Sequence, residues 1–280
     1  MARTGVRITP LLALTLGAGL VLTATGCGGE SSPAGSSAAS SASGDGAKQG
    51  DSPGGPVVVT TTTWEGAFAK AAGAEDVEVI VDQSVQHAPD YDPKPSDLAA
   101  VAEADFVLYA EFEPYAGKFK EAAGSDAELV EVALDNDAGK VKAEVARLGK
   151  LFGTEDAAAR WTESFDTEYG ELRKGLKDAW PDGKAPTAVA QVFTAWTAKM
   201  AGAELAGTYG PEAVTAEQLS ALSRKKPQLV LDNVHMSTGE VLPDSGAQQV
   251  AIVNYPDGKL DLLSVYRNAA AEVEKVMRAL

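Results

Sequence analysis

From Ala138 to Ala179 apolar residues recur at helical spacing: Val141, Val145, Leu148 and Leu151, then Trp161, Phe165, Tyr169, Leu172 and Leu176, with one break near Gly153-Thr154. A helical segment of this length is too long for a simple crossover between neighbouring strands. It reads as a stiff connector between two separate cores. On both sides of it, strand-like and helix-like runs alternate. Before it come the strands Val57–Thr62, Val77–Val81, Asp105–Ala110 and Glu128–Leu134, with helices over Trp64–Ala72, Ser96–Ala104 and Phe112–Ala123. After it come strands over Thr187–Phe193, Gln228–Asp232 and Val250–Val253, with helices over Ala195–Ala203, Ala216–Ser223 and Leu260–Leu280. Such alternation predicts parallel sheets covered by helices, so the expected fold is α/β, two doubly wound lobes joined by one long connecting helix with a ligand cleft between them.

The start of the chain sets its compartment. Arg3 and Arg7 precede an apolar run from Ile8 to about Ala24 that closes in small residues, the pattern of a secretion signal rather than of a membrane span. Cys27 is the chain's one cysteine, so it has no partner for an internal disulfide. Its place directly after Ala24-Thr25-Gly26 resembles a bacterial lipobox, which implies an acylated Cys27 at the mature N-terminus. Residues 28–55 are almost entirely Gly, Ser, Ala and Pro and have no apolar face, as a flexible tether requires. The expected organisation is a lipoprotein signal peptide over 1–26, a tether over 27–55, a first α/β lobe over 56–137, a connecting helical segment over 138–180 and a second lobe over 181–280. The expected location is extracytoplasmic, lipid-anchored to the outer face of the cytoplasmic membrane.

Charge and missing motifs remove several classes of function. A formal charge of −16 would repel phosphates and makes nucleic acid a poor partner. The chain has no His-Glu-x-x-His helix, Gly-x-Ser-x-Gly elbow, Gly-x-Gly-x-x-Gly turn or phosphate loop. A single cysteine supplies neither a thiolate metal site nor a redox pair. The sequence therefore reads as that of a binding protein and not of an enzyme.

The stretch Gln86-His87-Ala88-Pro89-Asp90-Tyr91-Asp92-Pro93-Lys94-Pro95-Ser96-Asp97 links a strand to a helix, is stiffened by three prolines, and holds one of the chain's two histidines. An imidazole beside several carboxylates suits zinc or manganese. The other histidine, His235, follows the strand Gln228–Asp232, whose end should face the cleft. Glu111 and Glu113 follow a strand at the lip where doubly wound sheets bind ligands, although both carboxylates would also suit the first turn of the next helix. Glu111 is the preferred ligand of the two. Asp232 and Glu240 are further candidates near His235, and Trp64, Tyr91, Trp196 and Tyr255 are candidates for the cleft wall or the core.

Val57–Thr62, Pro93-Lys94-Pro95-Ser96-Asp97, the Asp105–Tyr109 strand with Glu113-Pro114-Tyr115, and the long connecting helix together resemble the zinc and manganese receptors of bacterial ABC importers. The resemblance implies a lipid-anchored, monomeric solute-binding protein that holds a divalent metal between two lobes and hands it to an ABC permease. The membrane would be touched through the lipid anchor alone. It also implies ligand positions that this chain fills unusually. Pro89 stands where the family has its first histidine and His87 lies two residues earlier. The second position falls near Leu134–Asp137, the third near Gln191–Phe193, and the final aspartate near Asn254 or Asp257. The expected metal site is therefore His87, Glu111, His235, Asp232 and Glu240, with Zn2+ or Mn2+ as the transported ligand. Two alternatives stay open: a receptor of the same architecture for a metal chelate such as a siderophore or corrinoid, and an extracytoplasmic metal-dependent enzyme.

Overall fold

The computed structural model describes residues 55–82, 85, 91–124 and 127–280. Two four-stranded parallel sheets are its framework. The first holds β1 (Val57–Thr60), β2 (Asp76–Val79), β3 (Phe106–Tyr109) and β4 (Glu128–Glu131) in the order β2-β1-β3-β4. The second repeats that order as β6-β5-β7-β8, with β5 (Thr187–Gln191), β6 (Glu204–Tyr209), β7 (Leu229–Asn233) and β8 (Gln248–Ile252). Helices α1 (Thr63–Ala72), α2 (Pro95–Glu103) and α3 (Ala116–Ala122) belong to the first sheet. Helices α6 (Ala195–Ala201), α7 (Ala216–Ser223) and α8 (Leu262–Met277) belong to the second, and α4 (Ala138–Phe152) and α5 (Glu155–Asp178) run between them.

The apolar stripe that dominates the sequence forms the spine of the molecule. The stripe breaks at Gly153, whose φ of 69° closes α4 in the left-handed region that glycine enters without strain. Where α4 and α5 cross, a side chain on Gly149 would lie 2.5 Å from the Ala158 Cβ, so the helices meet closely only because that position is glycine. α5 then packs on α1 of the first lobe and on α6 and α8 of the second. Phe165 and Tyr266 are fully buried, and their rings meet edge to face at 5.0 Å, which locks α5 to α8. A single apolar cluster therefore runs from Val58 in β1 to Ile252 in β8.

Polar contacts close the seam between the sheets. The Asn136 side-chain amide donates to the Asn254 carbonyl at 3.0 Å, and the Tyr266 hydroxyl donates to the Asn136 carbonyl at 3.0 Å. Thr63 donates to the Pro256 carbonyl at 2.9 Å, and Lys199 pairs with Asp137 at 2.6 Å. Asn136 and Asp137 beyond β4, and Asn254 and Pro256 beyond β8, thus carry the seam together with Lys199 of α6 and Tyr266 of α8.

Three local expectations are corrected. β6 was not expected: Glu204-Leu205-Ala206-Gly207-Thr208-Tyr209 is an edge strand with a register shift opposite Ala188 and Val189, and lacks the β-branched run of a buried strand. A Cβ at Gly207 would fall 2.8 Å from the tip of the Leu222 side chain, which would have to turn aside to admit it. α2 starts at Pro95 and not at the expected Ser96, with Lys94 as its cap: Asp97 accepts from the Lys94 N–H at 2.8 Å and from the Tyr91 hydroxyl at 2.6 Å. α3 begins only at Ala116, so Phe112–Tyr115 is a turn and neither Glu111 nor Glu113 caps a helix. Among the described residues no helix is long and apolar enough to cross a membrane.

Candidate functional site

In a doubly wound sheet the crevice lies where successive connections leave in opposite directions, outside the carboxyl ends of two neighbouring strands. Here those pairs are β1 with β3 in the first lobe and β5 with β7 in the second. After β1 the chain runs Thr61-Thr62-Thr63-Trp64-Glu65. Thr62 caps α1 and Glu65, three residues on, completes a capping box. The consequence is a fully buried carboxylate. Glu65 Oε2 accepts from the Thr62 N–H at 3.1 Å and from the Thr62 hydroxyl, whereas Oε1 is buried without a hydrogen-bond partner.

The turn after β3 brings a second carboxylate to the same crevice. Glu113 is 6% exposed; it accepts from the Ala110 N–H at 3.0 Å and from the Tyr115 hydroxyl at 3.1 Å. Burial, and then the charge of Glu113, push Glu65 up to about 8. Burial also raises Glu113 above the usual carboxylate range. The two acids disfavour each other's charge at the point where the first lobe faces the second.

The second lobe contributes an imidazole and a polar frame. After β5, Gln191 accepts from the Phe193 N–H at 2.7 Å, and the Thr194 hydroxyl reaches the Leu231 carbonyl of β7 at 2.7 Å. After β7, Asn233 accepts from the His235 N–H at 3.1 Å and fixes the turn that presents this histidine. The His235 ring meets Tyr255 edge to face at 4.7 Å, and Tyr255 meets Trp64 of the first lobe at 4.9 Å. This aromatic chain crosses the seam. Burial holds His235 below its ordinary value, which favours the neutral form that can donate a ring nitrogen. Burial raises Tyr255, and Glu65 and Glu113 raise it further, so the phenol and both acids share one electrostatic neighbourhood.

The sequence candidates fare differently. His235 stands at the seam, its ring against Tyr255 and the rest of the side chain exposed. Asp232 is buried beneath it, one oxygen taking the Tyr209 hydroxyl at 2.7 Å and the other the Gln249 amide at 3.0 Å, so both are engaged in the frame of the second lobe. Glu111 and Glu240 are exposed. His87, Pro89 and Cys27 lie outside the described residues. Among the described residues no three His, Cys, Asp or Glu side chains come together so as to hold a metal ion. The family-implied positions are mainly structural in their contacts. Asp135 pairs with Lys140, and Asp137 caps α4. Asn254 takes the Trp196 indole N–H at 3.0 Å and donates to the Phe193 carbonyl at 3.1 Å. Trp64 and Trp196 are both buried in the core. The buried acid missed by the sequence reading is Glu65, although Thr62-x-x-Glu65 is a visible capping box. Its pairing with Glu113 depends on β1 and β3 being neighbours, which spacing along the chain does not reveal.

Residues 57–159 match the family model described as zinc-uptake complex component A, periplasmic. No curated protein matches the chain in sequence. Among solved structures, the laminin-binding protein Lmb of Streptococcus agalactiae, described as bifunctional with adhesin and metal-transporting activity, is 16% identical with a TM-score of 0.57; the match covers 80% of this chain and 99% of that one. A deletion mutant of ZnuA with zinc bound is 17% identical with a TM-score of 0.57, covering 81% of this chain and 99% of that one. The solute-binding protein FpvC of Pseudomonas aeruginosa, in complex with Mn2+, is 14% identical with a TM-score of 0.59, covering 80% and 97%. Residues 57–159 are thus similar in sequence to the zinc-uptake component A family, and the chain as a whole shares the two-lobed fold of these solved solute-binding proteins.

Proposed function

We propose that this protein is an extracytoplasmic receptor that captures a divalent transition metal, zinc or manganese, between its two lobes and delivers it to the permease of an ABC importer. The observation that carries the reading is the meeting of the two strand-end crevices, with neutral-leaning His235 from one lobe and buried acids from the other joined through Tyr255 and Trp64. The family match over the first lobe supports it. In this reading His235 donates from the second lobe and His87 from the first; of the sequence-derived carboxylates, Glu111 and Glu240 are exposed and open to the ion, while Asp232 serves the frame behind His235. Cys27 carries the lipid anchor on the outer face of the cytoplasmic membrane, and the receptor acts as a monomer.

The test is calorimetry on chelator-stripped protein titrated with Zn2+ and with Mn2+, repeated with His235→Ala and His87→Ala. Weaker binding of at least one ion in both variants supports the assignment; unchanged binding of both ions in both variants removes it. A second reading, a receptor for a metal chelate, draws on one observation. Phe112 and Phe193, 69% and 52% exposed, stand at the carboxyl ends of β3 and β5 with Val234 and Met236 beyond β7, an apolar rim suited to an organic shell. A chelate receptor would bind the loaded chelate and ignore the bare ion in the same calorimeter.

A further inference from the structure

We infer that Glu65, Glu113 and the Thr61 hydroxyl form the charge-neutralising half of the cargo site, an all-oxygen set that favours a hard divalent cation such as Mn2+ over Zn2+. The inference rests on the receptor reading above and adds to it the residues that meet the ion's charge. It starts from unmet valence. Buried polar atoms in folded proteins nearly always have a hydrogen-bond partner, so a buried carboxylate oxygen without one calls for an explanation. Glu65 Oε1 is such an atom, and it belongs to a side chain with no exposed surface.

Thr61 adds an independent observation. Its buried hydroxyl lies against the Glu113 carboxyl, whose charged form it favours, and its oxygen receives no hydrogen bond. An acid, a second acid and a hydroxyl thus converge from two chain segments on the crevice between β1 and β3. Each acid is held by its neighbours through fixed donors: Glu65 by the Thr62 backbone, Glu113 by the Ala110 N–H and the Tyr115 hydroxyl. Of the charges that act on Glu65, the strongest is the negative one of Glu113, a repulsion that a cation would turn into attraction. Carboxylate and hydroxyl oxygens suit magnesium, calcium and manganese, whereas zinc gains more from nitrogen and sulfur. Glu111 is the contrast: it is exposed, and no buried donor orients it.

The experiment uses the full stripped chain and four variants, Glu65→Gln, Glu113→Gln, Thr61→Val and Glu111→Gln, each titrated with Mn2+ and Zn2+. Glu65→Gln and Glu113→Gln should each weaken Mn2+ binding tenfold or more and Zn2+ binding less, with Thr61→Val in the same direction. Loss carried by Glu111→Gln, with the other three at wild-type affinity, overturns the inference. So does equal loss of both ions in Glu65→Gln and Glu113→Gln. A wild-type chain that binds neither ion removes the receptor reading itself, which separates the two failures. A second measurement avoids dependence on the folding of a buried-acid variant. Terbium, an oxygen-seeking ion, should show luminescence excited through Trp64 that Mn2+ displaces and that Trp64→Phe reduces severalfold. Terbium luminescence indifferent to both Mn2+ and Trp64→Phe counts against the site.

Discussion

Asn254 is the residue whose side chain braces the second lobe's face of the seam. Its side chain serves two partners, taking the Trp196 indole N–H at 3.0 Å and donating to the Phe193 carbonyl at 3.1 Å, while its own carbonyl receives Asn136 at 3.0 Å. In Asn254→Ala the Trp196 N–H stays buried with no acceptor, at a cost of about 1–3 kcal/mol. The Phe193 carbonyl, part-buried, adds a smaller loss, and the missing side-chain volume adds more, so the total should be about 2–4 kcal/mol. Asn136→Ala provides the internal comparison. It frees the Asn254 carbonyl of its donor but also removes Asn136 Oδ1, itself buried without a partner, so its cost should be about 1 kcal/mol. Urea unfolding followed by tryptophan fluorescence measures both. A loss below about 0.5 kcal/mol in Asn254→Ala, or a larger loss in Asn136→Ala than in Asn254→Ala, would refute the reasoning.

Three further outcomes follow from the same geometry. Because Glu65 is raised from 4.5 to about 8 on folding, its protonated form favours the native state most fully below pH 4.5, and that contribution is lost as pH rises towards 8, by on the order of 3–5 kcal/mol. Urea midpoints at pH 5 and pH 8 should therefore show Glu65→Gln gaining on the wild type as pH rises; a constant difference contradicts the assignment. Gly149→Ala should destabilise by about 1–3 kcal/mol because its Cβ meets Ala158 at 2.5 Å, and Gly149→Ala with Ala158→Gly should recover most of the loss in thermal unfolding. Burial places the protonation of His235 below 6.5, so metal affinity measured against pH should show the His235-dependent fall only below that value, and His235→Ala should abolish that part of the profile.

Much of the architecture was legible because it is written in period. The apolar stripe from Val141 to Leu176 marks α4 and α5, and the β-branched Val57–Thr62 marks the central β1. β6 escaped because an edge strand needs no continuous apolar run, and Glu204–Tyr209 offers none. The site was less legible for a topological reason. Thr62-x-x-Glu65 announces a helix start, but only the order β2-β1-β3-β4 places that acid beside Glu113. Asp232 shows the opposite difficulty: a carboxylate at a strand end beside a histidine has the composition of a ligand, yet Tyr209 and Gln249 occupy its two oxygens. Residue type suggested its chemistry, and the surrounding donors assign it to the frame.

The central claim is that a divalent ion sits where the two strand-end crevices meet. Crystals of the stripped protein soaked in Mn2+, with diffraction collected on either side of the manganese absorption edge, locate the ion without reference to any mutant. The account predicts one strong anomalous peak between the β1–β3 crevice, at Glu65 and Glu113, and the turn that carries His235. A peak confined to surface carboxylates, or none in a chain that binds Mn2+ in solution, would contradict it.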